Sequence, residues 1–169
     1  MKKIIMAAAI VCAAVCAQAS TVLWGLSSAV DSTTFASGTA YLIQTASLAK
    51  PSLADDAAAQ AWFTANGATL ADKAMLTGAV TDGAISGSEV VESPLGRKQY
   101  YLVIVNEDKT AMAISTTTKA INIQAGTMNA TAKWDGASQM TSYALVPEPT
   151  SGLLMLVGLA GLALRRRRA

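Results

Sequence analysis

The chain has 169 residues, 52% of them hydrophobic and 14% charged, with no histidine, and its two cysteines, Cys12 and Cys16, both lie in an N-terminal segment that has the marks of a removable leader. Without that leader there is neither thiol nor imidazole, which excludes disulfide frameworks, zinc sites of Cys and His, thiol nucleophiles and imidazole bases. The formal charge of +2 comes from the ends: residues 20–148 hold seven Lys and Arg against eleven Asp and Glu, and a body at −4 argues against a nucleic-acid partner.

Residues 1–19 have the three parts of a secretory signal in order. Lys2 and Lys3 give a positive start, Ile4 to Val15 an apolar run, and Ala17-Gln18-Ala19 small residues at the cleavage positions. Cleavage is expected after Ala19, leaving Ser20 as the new N-terminus, with signal peptidase and the general secretion machinery as partners. A lipoprotein cut would need a small residue directly before Cys16, where Val15 stands.

Residues 20–145 suffice for one domain. Val22 to Leu26 and Thr39 to Thr45 are predicted strands, separated by a Ser/Thr-rich loop. Ser52-Leu53-Ala54-Asp55 resembles a capping box, opening a helix that ends at Asn66-Gly67. Thr69 to Asp72 repeats the cap, opening a second helix that turns Leu70, Ala74 and Met75 inward and stops at Gly78. The expected pair of helices, near 52–66 and 69–78, forms a short helical hairpin. Strands return at Ile85 to Val91 and at Gln99 to Val105, the latter apolar on both faces and so central in its sheet. Asn106 to Lys109 turns into a strand from Ala111 to Thr116, giving a hairpin. Further strands are Ala120 to Gln124 and Ala130 to Trp134, while Met140 to Leu145 is either a last strand or a stem to the C-terminus. The expected fold class is α+β: a mainly antiparallel, β-rich, sandwich-like domain with a short helical-hairpin insertion, plus an N-terminal signal and a C-terminal transmembrane helix.

Chemistry is sparse in this body. Ser47-Leu48-Ala49-Lys50 matches a Ser-x-x-Lys pattern, but its partner motifs are missing and Pro51 breaks the helix it needs; Thr116 with Lys119 is a weaker copy. Helix N-terminal charge explains Asp55-Asp56. Glu89 and Glu92 alternate with valines as the exposed face of a strand. Asp82-Gly83 and Asp135-Gly136 are turns with too few clustered oxygens for calcium, and Asn129-Ala130-Thr131 is a sequon in a chain not expected to meet glycosylation enzymes. No cofactor, metal or catalytic residue is expected, and the chain is predicted not to be an enzyme. Trp24, Trp62 and Trp134 are candidate glycan-binding aromatics, with core packing as the competing explanation.

Beyond Leu145 comes Val146-Pro147-Glu148-Pro149, then the apolar GLLMLVGLAGLAL of residues 152–164, then Arg165, Arg166, Arg167 and Arg168. As a helix, residues 152–164 reach about 20 Å against roughly 30 Å of bilayer core, a marginal span. Each arginine opposes crossing by about 2.5–3.5 kcal/mol, so the block should stay cytoplasmic as a stop-transfer signal. The prolines hold Glu148 extended outside the membrane, the form proteases accept. The motif Pro147, Glu148 and Pro149, the span and the basic block, at 146–169, together resemble a PEP-CTERM sorting tail. That resemblance implies export in a Gram-negative bacterium that makes extracellular polysaccharide. It also implies membrane anchoring, recognition and cleavage by an exosortase, and transfer to the cell surface or extracellular matrix. The function expected is that of a non-enzymatic surface or matrix protein. A surface carbohydrate-binding module that contacts extracellular polysaccharide through the tryptophans is the alternative.

Overall fold

The computed structural model describes residues 20–91, 96–123 and 130–145. The leader with Ala17 and Ala19, Glu92, Asn129, the motif Pro147-Glu148-Pro149, the apolar segment 152–164 and Arg165 to Arg168 all lie outside them. Within them are nine strands: β1 (Ser20–Ser28), β2 (Ser37–Gln44), β3 (Ala74–Thr81), β4 (Ser86–Val91), β5 (Gly96–Asn106), β6 (Ala111–Ser115), β7 (Lys119–Ile123), β8 (Ala130–Asp135) and β9 (Met140–Ala144). The one helix of length is α1 (Asp56–Asn66), followed by a 3-10 turn (Gly67–Thr69) and the single-turn α2 (Leu70–Lys73).

Two sheets form. The smaller has the order β4-β1-β8, and the larger β3-β2-β5-β6-β9, with β7 paired to the first half of β5. All pairings are antiparallel except β1 with β8, which run parallel from Val22↔Ala130 to Ser28↔Asp135. The alternation along β5 explains its place. Tyr100, Leu102 and Ile104 face a core shared with the small sheet, while Tyr101, Val103 and Val105 face a second core on the opposite side. Because successive strand side chains point to opposite faces, a run apolar at every position must be covered twice. The small sheet covers one face through Val22, Trp24, Leu26, Ala132 and Trp134. On the other lie α1 and its flanks, through Ala59, Trp62, Phe63 and Leu70. The result is β-rich and mostly antiparallel, in three layers.

The expected helical hairpin is not there. Its first helix starts later than predicted: the N-cap is Asp55, extended at φ −156°, whose carboxylate accepts from the Ala58 N–H at 2.8 Å. Ser52 to Ala54 stay outside the helix, because Leu53 packs against the second core and its carbonyl is engaged by Tyr143. The second helix survives for one turn only. From Ala74 the chain becomes β3, paired with β2 from Ser37↔Thr81 to Ile43↔Ala74. Ala, Met and Leu favour helix locally, but Thr77, Gly78, Val80 and Thr81 do not. The open edge of β2 supplies a whole ladder of hydrogen bonds, which the short helix cannot match. Asp82 and Gly83 then close the β3–β4 hairpin with φ of +49° and +71°, the positive pair that a tight two-residue hairpin turn requires.

Candidate functional site: the C-terminal exit and the surface around it

β9 is an edge strand of the large sheet, and its last residues are fastened to two distant parts of the chain. The Tyr143 hydroxyl donates to the Leu53 carbonyl at 3.2 Å, and the Ala144 N–H donates to Asp56 Oδ1 at 3.1 Å. The Leu145 N–H donates to the Thr110 carbonyl at 2.7 Å, and its side chain is 4% exposed. Thr110 is itself held by Asn106, whose Oδ1 accepts from the N–H groups of Thr110 and Ala111, both at 2.9 Å. The segment 140–145 is therefore a strand and not a free stem. Spacing could not have shown the Asp56–Ala144 contact, which joins residues 88 apart in sequence.

The tryptophans divide. Trp24 and Trp134 are fully buried. The Trp134 indole N–H donates to the Thr117 carbonyl at 3.0 Å, and the Lys119 ammonium sits 5.7 Å from its ring centroid. Neither ring has a face open to a sugar, so as glycan-contacting candidates both are corrected to core anchors. Trp62 on α1 is half-buried against the second core. The fold brings no two of the three together as a platform at the surface. A cleft of about 420 Å³ that sequence reasoning missed lies on the part of the large sheet facing away from the small one. Tyr41, Thr39 and Ser37 of β2, Ala79 of β3, and Asn106, Glu107 and Lys109 line it. The Ser37 hydroxyl donates to Glu107 Oε2 at 2.6 Å, fixing that carboxylate across the strands. Tyr41 alternates with buried Ala40 and Leu42, so the strand period could have singled it out as outward-facing.

Other candidates have structural partners. The Ser47 hydroxyl donates to the Lys73 carbonyl at 2.9 Å, and that of Thr116 to the Gln139 carbonyl at 3.3 Å. Asp31 accepts from the Thr34 and Thr33 hydroxyls at 2.6 and 2.7 Å, which together with the Thr33 N–H hold its carboxyl down at about 2. Asp135 is also lowered, first by the Ser28 hydroxyl, then by Ser138 and the Ala137 N–H. Both carboxylates organise loops. Burial pushes Tyr100 and Tyr101 upward, and neither hydroxyl has a hydrogen-bond partner among the described residues. Among the described residues no three His, Cys, Asp or Glu side chains gather to hold a metal, and no helix is long and apolar enough to cross a membrane.

The fold is a β-rich body whose last strand is clamped at the point where the C-terminal segment begins. The model of the PEP-CTERM protein-sorting motif matches residues 145–168, so the chain carries that motif, and the match opens on buried Leu145. The motif implies an exported protein that is membrane-anchored before processing by an exosortase. No curated protein and no solved structure matches the chain.

Proposed function

We propose that the chain is an exported, non-enzymatic protein of the cell surface or extracellular matrix, delivered by its C-terminal tail. The observation that carries this reading is the sorting-motif match over residues 145–168, with the secretory pattern of residues 1–19 at the other end. Signal peptidase cuts after Ala19, and the apolar segment 152–164 holds the chain in the membrane with Arg165 to Arg168 on the cytoplasmic side. The exosortase then recognises Pro147, Glu148 and Pro149. The non-enzymatic part of the proposal rests on a chain with no histidine and no cysteine beyond Cys16. Glu148→Ala tests it. The variant should keep its tail mass and stay in the membrane fraction; native mass and fractionation would refute the reading.

One observation favours a second reading, a surface carbohydrate-binding module that uses the Tyr41 cleft in place of the tryptophans. An aromatic ring beside Thr39, Asn106 and the paired Glu107, at about 420 Å³, has the size and mixed polarity of a small-ligand site. Retention of the native chain, and not of Tyr41→Ala, on immobilised neutral polysaccharide is the expected result; no retention of either removes this reading.

A further inference from the structure

Only one residue separates the body's last described residue, Leu145, from Pro147 of the sorting motif. Leu145 begins the sorting-motif match yet is packed in the second core, and Pro147 follows two residues later, roughly 7 Å of extended chain. The hydrogen bonds from Leu145 to Thr110 and from Ala144 to Asp56 tie this point to the β5–β6 turn and to the start of α1. A body of this size has a radius of gyration of about 14 Å. An enzyme that closes around Pro147-Glu148-Pro149 and grips extended backbone on both sides therefore meets the body before it can seat residues 144–146.

We infer that the end of β9 is a latch: Ala144 and Leu145 peel away from Asp56, Thr110 and the second core before the tail is cut, and this opening sets the rate of cleavage. The inference rests on the processing reading above. Leu145 pairs with Thr110 on the β6 side, so the neighbouring Ala144 N–H points to the open edge, as strand alternation requires. There Asp56 is its acceptor. Asp56 is thus a positioning residue, setting through Ala144 where free chain begins. Opening two terminal residues leaves the remaining β6–β9 pairs, Met112↔Tyr143 to Ser115↔Met140, intact, the kind of local event that needs no global unfolding.

The test is pulse-chase of the full chain, produced together with its processing enzyme, with tail loss followed by mass. Leu145→Ala should shorten the half-time by about tenfold, equivalent to about 1.4 kcal/mol, and Asp56→Ala by about threefold. Asp56→Asn, which keeps an acceptor oxygen for the Ala144 N–H, should return the rate to near native, a rescue that general loosening would not produce. Inserting Gly-Ser-Gly-Ser between Leu145 and Val146 supplies slack with the latch intact. That chain should be cut as fast as Leu145→Ala and no longer respond to Asp56→Ala. Native-rate cutting of the spacer chain overturns the latch even if Leu145→Ala fails to fold. Cutting of Glu148→Ala at the native rate would instead sink the processing reading beneath it.

Discussion

Trp24 stands directly across from Gly87 in the β1–β4 ladder, and the indole lies over that glycine. A Cβ added at Gly87 would come 2.3 Å from Trp24 Nε1, 2.5 Å from Cε2 and 2.9 Å from Cδ1. Ordinary carbon contacts sit near 3.5–4.0 Å, so the overlap exceeds an ångström at the ring. Nor can the ring retreat. Its far edge, Cζ2 and Cη2, already lies 3.1 Å from where a Cβ would stand on Gly78. Trp24 is slotted between two strand glycines, an aromatic shielding glycine backbone across an edge pair.

Gly87→Ala should therefore destabilise the body. Replacing glycine in a strand ordinarily gains about 0.5–1 kcal/mol, while overpacking a filled core costs about 1–3 kcal/mol, and an overlap this severe belongs at the upper end. A net loss of about 2 kcal/mol is expected from urea unfolding of residues 20–145 followed by tryptophan fluorescence. Trp24→Phe in the same background should recover about 1 kcal/mol of it, since the five-membered ring that meets the new methyl is gone. It also removes an indole N–H that has no hydrogen-bond partner among the described residues. Gly96→Ala is the control: nothing lies within 4 Å of its Cβ position, but its φ is +65°, so its backbone penalty of about 1–2 kcal/mol should be independent of Trp24. A neutral or stabilising Gly87→Ala, or strict additivity with Trp24→Phe, would refute the slot.

At the β3–β4 turn, Gly83→Ala should cost about 2 kcal/mol by chemical denaturation, because φ is +71° and the new Cβ would lie 2.4 Å from the Val30 carbonyl oxygen; Asp82→Gly should be tolerated. The Asp31 carboxyl should titrate near 2 by NMR. Since its folded value lies below the ordinary aspartate value of 3.8, its contribution is present above that value and is lost as pH falls through about 2; in Asp31→Asn that acid-side loss should shrink. Burial raises Tyr100 and Tyr101, so both should ionise at higher pH in the native state than in the unfolded chain, read by ultraviolet difference spectroscopy. Above the ordinary tyrosine value of 10.0 the unfolded chain gives up these protons first, so stability should fall as pH rises from there.

Strand β5 was legible because seven consecutive residues, Gln99 to Val105, leave no polar face once past Gln99, and only a central strand covered on both sides satisfies that pattern. The turns at Asp82-Gly83 and Asn106 to Lys109 were legible because their chemistry is local. What misled was the stretch 69–78. Its first residues satisfy helix-start rules that hold for one turn, and nothing nearby announces that β2, some thirty residues earlier, needs a partner. The tryptophans stayed open between core and surface for a related reason, since whether an aromatic faces core or solvent depends on the other sheet. The clamp on β9 is invisible to any spacing rule, because Asp56 has a complete local explanation as helix N-terminal charge and only the fold adds Ala144 to its duties.

Both ends of the body are buried, and the topology gives that fact an order in time. Ser20 is 1% exposed and pairs with Val91 at the start of β1. On the proposed reading, a peptidase cutting after Ala19 would need that stretch free and extended, and so would act before β1 is seated between β4 and β8. The parallel pairing supplies the delay. β8 lies more than a hundred residues downstream of β1, so the small sheet cannot close until nearly the whole body has crossed the membrane, and such distant pairing is slow to form. At the other end the order reverses. β9 and Leu145 need only β6, the adjoining turn and α1, all exported earlier, so the body can fasten its last strand while the tail is still held in the membrane. If both proposed cuts are made, the same fold would leave the N-terminal one exposed while it is incomplete and would restrain the C-terminal one once it is finished.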